Sequence, residues 1–243
     1  MSETEQVVRK SAVEHVDEGL RQYMIKVFNY MGLGLVVTAL AAYLTVNTPL
    51  LSMMFSVDMT AQTVSLSVLG WIITLAPLAM IFAFNAVLAK GSPAAAQLMF
   101  WAFSAIMGIS MANVMLLYTA ESITRVFLIT AATFGGMSLL GYTTKKDLTS
   151  IGSFLYMGLW GIIIASIVNI FMKSSGVYYA ISYLSVLIFT GLTVYDVQKI
   201  KMMYYSADDN DTLTRKAIVG ALELYLDFIN LFLSLLRILG DRR

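Results

Sequence analysis

Apolar residues run in seven blocks long enough to cross a bilayer, at 27–46, 67–88, 94–118, 123–142, 152–172, 178–199 and 218–239. A membrane helix needs roughly 20 mostly apolar residues, each rising about 1.5 Å. The longest connections, 47–66 and 200–217, are too short for a separate soluble domain. The pattern predicts an all-α membrane protein of seven transmembrane helices over 27–239. A polar cytoplasmic arm, 1–26, would precede it, partly as an amphipathic helix at the membrane surface. A short polar tail, 240–243, would follow. In the first block Gly34, Thr38, Ala41 and Thr45 recur at helical spacing, and in the fifth Gly158, Gly161 and Ala165 do so. Small residues of this kind are expected to let helices pack closely in lipid.

The last block differs from the others. Gly220, Glu223, Asp227, Asn230, Ser234 and Arg237 recur at alternating steps of three and four, so they share one helix face. The remaining faces are Leu, Ile and Phe. A polar seam cannot face hydrocarbon, so this helix is expected at the centre of the bundle. Asp196, near the end of the preceding block, is a second intramembrane acid. A charged residue at the centre of a membrane helix costs about 2.5–3.5 kcal/mol on insertion scales, and such residues mark functional paths. Asp196 and Asp227 can meet in the same half of the membrane. Two carboxylates in contact cannot both stay ionised cheaply, so the pair is expected to share a proton and change state within the pH range of a cell. Glu223, one turn before Asp227, adds a third carboxylate, and Asn230 continues the seam. The bland alternatives are that Asp196 pairs with Lys199 or Lys201 and that Asp227 bonds to Asn230.

Composition supports the membrane reading. The 243 residues are 58% hydrophobic and 13% charged, with a mean hydropathy of +0.76, where soluble domains carry about 25% charged residues. A net charge of +1 gives no footprint for nucleic acid. The chain has no cysteine and one histidine, His15 in the arm, which excludes thiolate metal sites and triad chemistry inside the membrane. Lys and Arg placement orients the chain. With the N-terminus cytoplasmic, eleven basic residues fall inside, including Lys26, Lys145, Lys146, Lys199 and Lys201; five fall outside, namely Arg125, Lys173, Arg237, Arg242 and Arg243. A re-entrant last helix would move the three C-terminal arginines inside, but a 22-residue block favours full crossing.

Enzymatic readings fail on residue type, and no cofactor is called for. An intramembrane aspartyl protease needs glycine beside its second acid, whereas Leu224-Tyr225-Leu226 precedes Asp227. The last block has no lysine for a Schiff base. The segment Asp208–Asp211 lacks the glycine and glutamate of a calcium-binding EF-hand loop and reads as a solvated turn, with Asp211 or Thr212 capping the next helix.

Three segments carry a resemblance. Gly220-Ala221-Leu222-Glu223-Leu224-Tyr225-Leu226-Asp227-Phe228-Ile229-Asn230-Leu231-Phe232, followed by Leu235-Leu236-Arg237, resembles the C-terminal signature of the Bax inhibitor-1 family, the transmembrane BAX-inhibitor-motif proteins. Tyr195-Asp196-Val197-Gln198 is similar to that family's sixth-helix motif, and Gly141–Asp147 to its segment after the fourth helix. The resemblance runs over nearly all the chain from Leu20, and its short loops are those of the bacterial inner-membrane branch. It implies six helices wrapped around a central C-terminal one. It also implies a pH-sensitive calcium leak gated by two aspartates, at the positions of Asp196 and Asp227, with a calcium ion held transiently between them. Members with this leak carry an arginine in the second helix; here Ser67–Leu88 holds no basic residue. The alternative is a non-conducting regulator acting through membrane proteases or other membrane-protein partners.

Overall fold

The computed structural model describes the backbone of residues 3–58, 63–90 and 92–243, and the side chains of 18–56, 65–84 and 92–243. The elements in order are α1 (Glu3–Val46), α2 (Leu50–Met54), β1 (Phe55–Asp58), β2 (Thr63–Leu66), α3 (Val68–Lys90), α4 (Pro93–Ser110), α5 (Ala112–Leu117), α6 (Ala120–Thr143), α7 (Thr149–Met172), α8 (Ser175–Met203) and α9 (Asn210–Leu239). The chain is a multi-pass, all-α membrane protein. Among the described residues six stretches are long and apolar enough to cross a membrane: Glu18–Val46, Pro93–Leu117, Ala120–Thr143, Thr149–Met172, Ser175–Met203 and Asn210–Leu239. A shorter apolar stretch lies at Val68–Phe84 of α3.

Several local expectations are revised. The first helix does not begin at residue 27: α1 runs unbroken through the arm. Its Tyr23 and Met24 are buried, Tyr23 beside the ring of Tyr204, so this part of the arm is core rather than a surface helix. The surroundings of His15 and the rest of 1–17 lie outside the described side chains. The third block is broken at Met111, whose φ of −88° and ψ of 1° end α4 and start α5. The 47–66 connection contains α2 and an antiparallel hairpin pairing Phe55 with Leu66. The cap of α9 is Asp209, which accepts from the Thr212 backbone N–H, rather than Asp211 or Thr212. Those bonds hold the Asp209 carboxyl below the usual carboxylate range.

The best-packed helix is α9. Of its most apolar stretch 67% is buried, against 6–33% in the other five candidate spans. Its 30 residues make a continuous helix of about 45 Å. It packs on α1, α4, α6 and α8. By contrast α7 packs chiefly on α8, and α3 on α4. The small residues of α1 form the seam with α4. Gly34 faces Phe100 and Ser104, Thr38 donates to the Ser104 carbonyl or accepts from Tyr225, and a Cβ on Gly108 would meet the Thr38 carbonyl at 2.3 Å. The α7 stripe is only half used: Gly158 lies against Ile188, whereas Gly161 has open space around it.

The tail 240–243 is docked. Asp241 and Arg243 exchange backbone hydrogen bonds with Thr119 and Leu117, and Asp241 pairs with Arg125 at 2.9 Å. The end of α9 therefore lies with the α5–α6 junction. The opposite end gathers Lys26 on Thr214, Lys201 on the Tyr142 carbonyl and Lys216 on Asp208.

Candidate functional site

Helices α8 and α9 are consecutive and antiparallel, joined by six residues, and make the largest interface in the bundle. Gly220 permits it, because any side chain there would run into Ile200. From the α8 side Asp196 is buried at 3% exposure; from the α9 side Asp227 is buried at 5%. The two side chains line the same cavity.

Two further side chains complete the cluster. The Tyr156 hydroxyl of α7 donates to Asp196 Oδ1 at 3.2 Å. It gets there because Gly152 lets α7 approach the Tyr195 ring, and Tyr195 in turn stacks edge-on with Tyr156 at 6.0 Å. Lys199, one turn after Asp196, donates to Glu223 Oε1 at 2.7 Å and stands 4.0 Å from Asp196 Oδ1. Glu223 is therefore ion-paired, and Lys199 spans both helices rather than serving Asp196 alone. Asp227 Oδ2 and Glu223 Oε2 are buried with no hydrogen-bond partner among the described residues. Asn230 spends its amide N–H on the Leu226 carbonyl at 2.8 Å.

All four sequence-designated residues, Asp196, Asp227, Glu223 and Asn230, line one cavity of about 570 Å³ between α3, α7, α8 and α9. Most of its other walls are apolar, from Leu78 on α3 to Ile163 on α7, with Tyr156, Ser166, Ser185, Ser234 and Arg237 as the further polar members. Three carboxylates thus share one ammonium in a mostly apolar space. Burying uncompensated charge costs several kcal/mol per ion, so protons or a bound cation must balance the remainder. Among the described residues no group of three or more acidic, histidine or cysteine side chains is disposed to hold a metal ion. A cation between Asp196 and Asp227 would have two carboxylates and must draw its other ligands from water, backbone or the phenol.

Tyr156 and Lys199 were the members that sequence reasoning did not assign to the site. A tyrosine in a membrane helix needs a partner for its hydroxyl, which is a signal. Nothing in the sequence says that Asp196 supplies it. Gln198 anchors the surroundings: its side-chain N–H donates to the Lys146 carbonyl and its oxygen accepts from the Leu148 backbone N–H. The quoted segments at Gly141–Asp147, Tyr195–Gln198 and Gly220–Phe232 thereby meet around one end of the α8–α9 pair.

Residues 20–243 match the family model described as inhibitor of apoptosis-promoting Bax1. The chain is 41% identical over 238 residues to the inner membrane protein YbhL of Escherichia coli, covering 97% of this chain and 98% of YbhL. It is 45% identical over 228 residues to an uncharacterized protein of Rickettsia prowazekii, covering 93% and 92% of the two chains. An uncharacterized protein of Deinococcus radiodurans is 35% identical over 223 residues, with 92% coverage of each.

Proposed function

The chain belongs to the Bax inhibitor family of membrane proteins, and from that premise we propose that it is a pH-sensitive cation pathway gated by the Asp196–Asp227 pair. The observation that carries this reading is the buried carboxylate pair facing a cavity, with one ammonium for three acids. When a proton is shared, the two carboxyls hold each other by a hydrogen bond and tie α8 to α9. When it leaves, two like charges at ~4 Å repel by about 4 kcal/mol at an effective dielectric of 20. Moving a two-state equilibrium from 1:99 to 99:1 takes about 5.5 kcal/mol, so the repulsion supplies much of a gating change. A cation then replaces the proton between the separated acids. Calcium fits as a hard ion that takes carboxylate, carbonyl and water oxygens. Lys199 supplies beside the acids the positive charge that Ser67–Leu88 lacks. The proposed setting is a bacterial inner membrane, as for the inner membrane relative YbhL, with the N-terminus cytoplasmic.

Flux into proteoliposomes tests the reading. Wild-type protein should pass calcium down its gradient with a pH-dependent rate, and Asp196→Asn or Asp227→Asn should flatten that dependence. Wild-type vesicles no leakier than empty ones at any pH across the physiological range sink the transport reading. A non-conducting regulatory role would then take its place.

A further inference from the structure

The polar seam of α9 continues past the acids. Ten residues beyond Asp227, about 15 Å along the helix axis, Arg237 enters the same cavity at its far end. Among the described residues no carboxylate, carbonyl or hydroxyl accepts from its guanidinium. Its recorded contact is the face of Tyr178, 5.8 Å from the ring centre. Arg242 lies over the same ring at 5.9 Å and donates to the Tyr178 hydroxyl at 3.3 Å. Two guanidiniums therefore flank one phenol with no acid between them, the nearby tail acid Asp241 being held by Arg125. The last turn of α9 favours a cation by about 0.3–1 kcal/mol, but among the described residues no acceptor meets the guanidinium donors of Arg237. An anion is wanted here.

The cavity leading to Arg237 is open sideways. Its wall residues Leu78 on α3 and Ile163, Ile167 and Ile170 on α7 are 57%, 39%, 53% and 68% exposed. With α3 held by α4 and α7 by α8, a slot between α3 and α7 joins the cavity to the hydrocarbon of the bilayer. A volume of about 570 Å³ lies within the range of about 300–1,000 Å³ usual for ligand pockets.

We propose that this slot binds an anionic phospholipid, its phosphate between Arg237 and Arg242 and one acyl chain lying between α3 and α7. The guanidinium forks match phosphate oxygens, and the Tyr178 hydroxyl can donate to the same group. The isoleucines of α7 and Leu78 meet the chain. Bound lipid separates the seam of α9 from the bilayer. The site shares the cavity that Asp196 and Asp227 line, but its test reads lipid retention and does not depend on cation flux.

Native mass spectrometry on the detergent-purified full chain tests it, with phosphatidylglycerol and phosphatidylcholine as probes. Wild type should retain one phosphatidylglycerol in preference to phosphatidylcholine. Arg237→Gln and Arg242→Gln should each weaken retention about fivefold, the effect of about one interfacial basic residue. Arg237→Lys should fall between. Ile163→Trp, which fills the slot without touching charge, should also lower it, and Lys145→Gln at the other end should not. Equal retention of the two lipids, or full retention by both Arg237→Gln and Ile163→Trp, overturns the proposal. Displacement of the lipid by millimolar inorganic phosphate overturns it in favour of a free-phosphate site. If Arg237→Gln does not fold, Arg242→Gln and Ile163→Trp decide.

Discussion

Replacing Lys199 by methionine removes the one ammonium in contact with the acid cluster while keeping the length of the side chain. In the native protein it makes a 2.7 Å charge-assisted bond to Glu223 and lies 4.0 Å from Asp196. A hydrogen bond to a charged group contributes about 1.5–3 kcal/mol, and a unit charge at 4 Å attracts by about 4 kcal/mol at an effective dielectric of 20. Breaking a buried pair from one side typically costs about 3–5 kcal/mol because the partner charge stays behind. The lysine side chain is 33% exposed, so solvent screening places the loss at the lower end, about 3 kcal/mol. At roughly 2–4 °C per kcal/mol for a chain of this size, Lys199→Met should lower the melting temperature by roughly 6–12 °C near pH 8.

The deficit should shrink in acid, because protonating carboxylates removes uncompensated negative charge. Glu223→Gln added to Lys199→Met should restore most of the loss at high pH, giving a positive coupling in the double-mutant cycle. Unfolding in detergent can be followed through Trp71, Trp101 and Trp160. A loss that is the same at both pH values, or one that Glu223→Gln does not relieve, would show that Lys199 acts by packing alone and refute the charge-balance argument.

Three further outcomes are expected. Tyr225→Phe removes the hydroxyl that bonds to Thr38 at 2.6 Å in a fully buried position and should cost about 1–2 kcal/mol in thermal or denaturant unfolding. Gly108→Ala drives a methyl into the Thr38 carbonyl and should cost about 1–3 kcal/mol, whereas Gly161→Ala, facing open space, should be near neutral by the same measurement. Single cysteines placed at 145 and 243 of the naturally cysteine-free chain should differ under impermeant reagents in intact cells. Position 243 should label and 145 should not, and the reverse result overturns the proposed orientation.

Much of this protein could be read from its sequence because the bilayer imposes simple demands. A chain in hydrocarbon must satisfy its backbone internally, so apolar blocks of helical length announce themselves, and α6 to α8 stand within a few residues of the blocks that predicted them, while α9 starts eight residues ahead of its block. The same demand exposes the acids. Polar groups spaced by three and four, as from Gly220 to Arg237, must turn to the interior, and α9 is the most buried helix. What the sequence could not convey is which neighbours those groups meet, because that depends on how closely and at what register the helices cross. Lys199 stands one turn from Asp196 in sequence, yet it bonds to Glu223 because Gly220 lets α9 close on Ile200. Tyr156 serves Asp196 because Gly152 admits the Tyr195 ring. Two glycines of one stripe, Gly158 and Gly161, have different surroundings because α7 leans on α8 along only one edge. That lean also leaves the slot toward α3 open. Helix periodicity determines which residues share a face, while side-chain volumes at the crossings decide what that face touches.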